Sequence, residues 1–160
     1  MKEGIKEVKE LAEDIRIAML TTVSEEGYLR SRPMALNDIE EDGTMWFFTG
    51  KNSEKVDEIE DNAKVNINFA DNSDYDYLSV AGKAELVLDK AIIKEKFNRM
   101  TKAWFPEGTE SDNISLLRIT PDSAEYWDGG DNKMVQLFHL GKALLTGKKY
   151  QGGRHEEVAM

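Results

Sequence analysis

Apolar and polar positions along this chain change rhythm several times, and each change marks an element. At the start, Ile5, Val8, Leu11, Ala12 and Ile15 recur at helical spacing with Lys and Glu between them, which predicts an amphipathic helix. Ile17 to Val23 is apolar and β-branched, Ser24-Glu25-Glu26-Gly27 is a turn, and Tyr28 to Leu36 reads as the returning strand of a hairpin. The acidic stretch Asp38 to Gly43 is a loop, and the continuous run Thr44 to Thr49 is a strand buried on both faces. Gly50-Lys51-Asn52-Ser53 breaks it, and a short helix follows to Asn62, capped by Asn52 or Ser53 and turning Val56, Ile59 and Ala63 inward.

Strict alternation returns at Lys64 to Ala70 and at Leu78 to Leu88, where Gly82 signals a bulge or a tight barrel bend. Ile93, Phe97, Met100 and Trp104 then recur at helical spacing. Ile114 to Thr120 and Ala124 to Trp127 are two short strands split by Pro121-Asp122. Lys133 to Leu145 is apolar with a mixed period and is expected to be helical, and Gln151-Gly152-Gly153 opens a polar tail. The expected fold is mainly β: a small antiparallel barrel of six or seven strands with peripheral helices. A single domain over residues 1–150 and a tail over 151–160 follow from the absence of any repeat or linker.

Composition narrows the function. The chain has 31 acidic and 21 basic residues, so its net charge of −10 repels a polyanion and argues against nucleic acid. No apolar run approaches the roughly 18 residues that cross a bilayer, and no signal-peptide stretch opens the chain, so no membrane role and a cytoplasmic location are expected. Cysteine is absent, which removes disulfides, thiolate metal sites and cysteine nucleophiles. His139 and His155 have no partner pattern, no metal-ligand spacing occurs, and no catalytic residue can be assigned.

Three local patterns carry possible chemistry. In Arg30-Ser31-Arg32-Pro33-Met34-Ala35, alternation places both arginines on one face of a strand; they either snorkel to water or meet an anion. In Phe48-Thr49-Gly50-Lys51-Asn52-Ser53-Glu54-Lys55, hydroxyls, an ammonium and a helix N-terminus converge, either as a phosphate site or as an ordinary capped helix. In Thr120 to Gly130, Trp127 near a strand end can stack on a planar ligand or simply pack.

In this order, the patterns resemble the pyridoxamine 5'-phosphate oxidase-like split β-barrels that bind FMN. Trp104-Phe105-Pro106-Glu107-Gly108 followed by Leu116 to Pro121 resembles the general stress protein 26 branch in particular. The resemblance implies a six-stranded antiparallel split barrel and a homodimer with flavin at the subunit interface. It implies FMN, with FAD as the alternative, and a further small-molecule ligand. By position, Arg32 and Lys55 would grip the flavin phosphate with help from Ser53, while Pro33, Met34 and Ala35 would line the isoalloxazine. Phe48 and Thr49 would lie against the flavin, and Trp127 matches a late tryptophan near the cofactor.

Two positions depart from the family's oxidases. Glu54 stands where they have a second basic residue, and Lys133-Met134-Val135 stands where they have the substrate-holding Arg-x-His. Valine carries no imidazole, so the resemblance implies flavin binding rather than vitamin B6 oxidation. Three functions are compatible with it: a flavin-dependent oxidoreductase of unknown substrate, a flavin-binding or flavin-sensing stress protein without turnover, and a dimer that has lost its cofactor.

Overall fold

The computed structural model describes residues 3–129 and 154–160. The helix expected over Lys133 to Leu145, together with His139, Lys133 and Val135, lies outside the described residues. The chain begins with helix α1 (Glu3–Ile15), then strands β1 (Ile17–Val23), β2 (Leu29–Ala35), β3 (Asp38–Ile39) and β4 (Met45–Gly50). Helix α2 (Glu54–Asp61) leads into β5 (Lys64–Asp71) and β6 (Asp76–Val87). Helices α3 (Lys90–Lys96) and α4 (Arg99–Trp104) precede β7 (Ile114–Asp128), and β8 (Arg154–Ala159) ends the described chain.

All strand pairs are antiparallel and form one curled sheet in the order β2-β1-β5-β6-β7-β4-β3, with β8 added to β7. This is the expected split β-barrel, with eight described strands instead of six. Two of the differences have local causes. The predicted break at Pro121 does not end a strand: β7 continues through it, and the proline's missing N–H is absorbed where the β6–β7 register shifts between Ala81 and Gly82. Gly82 is needed there because a Cβ would come within 2.4 Å of the Thr120 carbonyl oxygen. The polar segment Arg154–Ala159 pairs with the part of the β7 edge that β4 leaves open, so backbone bonding rather than hydrophobicity makes it a strand.

The core fills the curl of the sheet. Ala18 and Leu20 point inward from β1, Phe47 from β4, Ile67 and Phe69 from β5, and Leu117 and Ile119 from β7, all at most 1 % exposed. Helix α1 closes this core with Val8 and Ala12. A second cluster gathers Trp46, Ile93, Ile114 and Leu116, with Phe48, Phe97 and Phe105 packed against it. Among the described residues no helix is long and apolar enough to cross a membrane.

The outer face of β2-β1-β5-β6 is different. Ile17 and Met19 are 57 % and 43 % exposed. Their cross-strand neighbours on that face are Ala35, Pro33 and Asn68, and Thr21 continues it to Ser31 and Asn66. Among the described residues no charged side chain interrupts this patch, in a chain where 32 % of residues are charged.

Candidate functional site

Where the end of β2 passes the end of β4, a cavity of about 400 Å³ opens. Pro33, Met34 and Ala35 form one wall, and Phe48, Thr49 and Gly50 form another. Lys55 of α2 reaches the cavity from one side, and Met100 and Trp104 of α4 stand at its rim. Six of the residues expected at a ligand site, Pro33, Met34, Ala35, Phe48, Thr49 and Lys55, are thus brought together. Local structure explains the arrangement. Pro33 cannot donate a ladder bond, so it sits near the end of the edge strand β2. Gly50 passes so close to Asn113 that a Cβ would meet its amide at 2.9 Å.

Three of the cavity's polar groups are the amides of Asn37, Asn98 and Asn113. Asn98 caps α4 by accepting from the Met100 and Thr101 backbone amides, and its own amide donates to Asn37 Oδ1 at 2.8 Å. Asn37 in turn donates to the Lys96 carbonyl at 3.1 Å. Arg16 also lines the cavity, held in a left-handed conformation (φ 63°) between α1 and β1. Arg16, Asn37, Asn98 and Asn113 were not expected from the sequence. Met100 and Trp104, read from the sequence only as helically spaced with Ile93 and Phe97, are 63 % and 76 % exposed.

Lys55 is the electrostatic centre of the site. It is half-buried, and among the described residues no carboxylate lies within ion-pair distance of its ammonium. Burial lowers its pKa from the ordinary lysine value, and the nearby Arg32 guanidinium lowers it further. Two residues before it, Ser53 is the N-cap of α2, but its hydroxyl makes no capping bond. Ser53 Oγ is buried and has no hydrogen-bond partner among the described residues. In the first turn of α2 the Val56 amide donates to the Ser53 carbonyl at 2.9 Å, which leaves the amides of Glu54 and Lys55 without an acceptor among the described residues. An unpaired ammonium, an orphaned hydroxyl and a helix N-terminus together fit a phosphate.

Arg32, Ser53 and Trp127 do not line the cavity. Arg32 lies on the same face as Arg30, as alternation predicted, but the anion that both meet belongs to the chain. Arg32 Nη2 donates to Glu58 Oε2 at 3.1 Å, and Arg30 lies 3.5 Å from Glu58 Oε1. Arg30 also pairs with Glu54, which directs Glu54 away from the cavity. Ser53 is adjacent to the site but enclosed. Trp127 stacks on His155 of β8, ring centroids 4.9 Å apart and planes 2° from parallel, so the added strand occupies its face. His155 also meets Glu125 at 2.5 Å, which gives it a structural partner remote from the cavity.

A curled antiparallel sheet with a mostly apolar cavity beside the start of a helix defines a split-barrel protein. The chain matches the family described as pyridoxamine 5'-phosphate oxidase like over residues 3–151, and it belongs to that family. It is 27 % identical to protein bli-3 of Neurospora crassa over 99 % of this chain and 81 % of that protein. The crystal structure of general stress protein 26 from Bacillus anthracis superposes with a TM-score of 0.66 at 26 % identity, covering 76 % of this chain and 92 % of that one. The general stress FMN/FAD binding protein of Xanthomonas citri superposes with a TM-score of 0.67 at 27 % identity, covering 80 % of this chain and 89 % of that one.

Proposed function

We propose that this chain is a general-stress-type flavoprotein that binds FMN, or alternatively FAD, in the cavity between β2 and β4, and acts as a homodimeric flavin-dependent oxidoreductase. The observation that carries this reading is Lys55: a half-buried ammonium at the cavity wall with no described carboxylate partner, beside the unpartnered Ser53 hydroxyl. Family membership and the similarity to a flavin-binding protein of Xanthomonas citri support it. The flavin phosphate would sit at Lys55, Ser53 and the start of α2. The ring would lie along Pro33, Met34 and Ala35, facing Phe48 and Thr49. When bound, the flavin supplies electron and hydride transfer, and the protein supplies binding, orientation and shielding from water.

The uncharged outer face supports the homodimer. Two copies that each carry a charge of −10 repel one another, and a face without charges is where that repulsion is least. Pro33 and Ala35 belong both to this face and to the cavity wall, so a second copy docked there would border the flavin.

A second reading, flavin binding without turnover, is favoured by the cavity's polar lining. Among the described lining residues there are asparagines, threonines and two cations, Arg16 and Lys55, but no carboxylate or imidazole to move a proton. Titration of chromophore-free protein with FMN, with pyridoxal phosphate as competitor, tests the shared claim: FMN binds more tightly, and tighter pyridoxal phosphate binding would refute it. Anaerobic mixing of the FMN-loaded protein with NADH or NADPH separates the two readings. Bleaching of the flavin supports the oxidoreductase, and a stable oxidised spectrum supports the non-catalytic protein.

A further inference from the structure

Glu58 is a buried carboxylate that neither the core nor the cavity explains. It lies on α2 and is 6 % exposed, on the side that faces β1 and β2. Its Oε2 accepts from Arg32 Nη2 at 3.1 Å and from the Thr22 hydroxyl. The same hydroxyl accepts from Arg32 Nη1 at 2.5 Å, which closes a three-membered ring of bonds. Among the described residues Glu58 Oε1 accepts no hydrogen bond, and Arg30 Nη1 lies 3.5 Å from it. A buried ion pair with an unsatisfied oxygen is a poor source of stability, because desolvation offsets most of the attraction. The pair sits beside Lys55, three residues before Glu58 on the same helix and close enough for its ammonium to feel Arg32.

We propose that Glu58 is a specificity-determining residue of the phosphate site: it holds Arg32 against Thr22 and cancels its charge, leaving the ligand's phosphate to Lys55. This rests on the flavin reading above. Arg32 Nη1 is committed to Thr22 and, more weakly, to the Leu20 carbonyl at 3.4 Å, and one Nη2 hydrogen goes to Glu58. With its charge compensated and three of its five N–H donors engaged, Arg32 adds little to the attraction for a phosphate. Flavins with and without a phosphate are therefore bound less unequally than two free cations would allow. A tight FMN site is within reach of one change in this chain, the loss of the Glu58 charge.

The experiment compares FMN with riboflavin, which lacks the phosphate, and reads the ratio of their dissociation constants. Glu58→Gln keeps the shape and acceptor of the side chain but removes the charge. It should shift the ratio towards FMN by about ten-fold, the low end of what one charge-assisted hydrogen bond contributes, with riboflavin affinity little changed. A purely packing role for Glu58 would move both ligands together. The double variant Arg32→Gln/Glu58→Gln removes a compensated pair and avoids leaving either charge buried alone. It should keep the ratio within about two-fold of wild type, whereas an Arg32 that grips the phosphate itself would give a fall of about ten-fold. An unchanged ratio in folded Glu58→Gln, or that fall in the double variant, overturns the proposal while leaving flavin binding intact. Wild-type protein that binds neither flavin overturns the flavin reading and this one with it.

Discussion

Replacing Lys55 with methionine separates a phosphate site from a decorated helix. In the folded protein the ammonium is half-buried with no described carboxylate partner. A phosphate placed against it gains a charge-assisted hydrogen bond, worth about 1.5–3 kcal/mol. Lys55→Met should therefore weaken FMN binding by about ten- to a hundred-fold, at 1.4 kcal/mol per factor of ten. Arg32 cannot take over, because its guanidinium is paired with Glu58. Riboflavin should bind the variant as it binds the wild type. Misfolding cannot mimic this result, since it would weaken both ligands, and burial already disfavours the charged lysine in the ligand-free protein. The assay is fluorescence quenching with both flavins at two salt concentrations. Wild-type affinity for FMN should fall with salt, and that of the variant should fall less. Equal FMN affinity in variant and wild type, or an equal loss for riboflavin, would refute the assignment.

Other consequences follow from the same structure. Met19→Lys places a charge in the uncharged outer face, so light scattering should show a wild-type particle of twice the 18.2 kDa chain mass and a largely monomeric variant; a monomeric wild type would sink the dimer. Gly82→Ala drives a Cβ into the Thr120 carbonyl and should cost about 1–3 kcal/mol, seen as a melting temperature lower by several degrees; an unchanged melting curve would show that the bulge relaxes freely. Lys55 also predicts a pH dependence. Its folded pKa lies below its unfolded value, so the unfolded chain binds the proton more tightly. Ligand-free protein should gain stability as pH rises from that lowered pKa towards the ordinary 10.5, and the gain should disappear in Lys55→Met; parallel urea midpoints for the two proteins across that window would contradict it.

Much of the fold was legible because burial follows strand periodicity. Ala18, Leu20 and Thr22 face inward while Ile17 and Met19 face out, as alternation requires. The Thr44–Thr49 run was readable as doubly buried because one face meets the main core and the other the Phe97 and Phe105 cluster. Features set by single backbone contacts were not. Pro121 signals a turn in sequence, yet opposite Gly82 it becomes part of a bulge. The helical stripe from Ile93 to Trp104 is broken at Phe97, because Asn98 starts a new helix by capping it. Arg154–Ala159 has no hydrophobic signature, since its pairing to β7 is made by the backbone.

The site divides the same way. Residues adjacent in sequence, Pro33 to Ala35 and Phe48 with Thr49, were pointed to by the family resemblance and meet at the cavity. The partner of Arg32 was not, because Glu58 arrives from a different element and looks like any other acid on a charged helix. A trace of the signal was present: Glu54 and Glu58 are four residues apart on α2, and Arg30 and Arg32 are two apart on β2, so each pair presents one face to the other.

The central claim, that the cavity between β2 and β4 is a flavin site, is tested most directly by the ultraviolet-visible spectrum of the freshly purified protein, with mass spectrometry of whatever chromophore heat releases from it. The account predicts the two-band absorption of an oxidised flavin and a released mass equal to FMN, or to FAD in the alternative. A colourless protein that also fails to take up added FMN, riboflavin or FAD would contradict it.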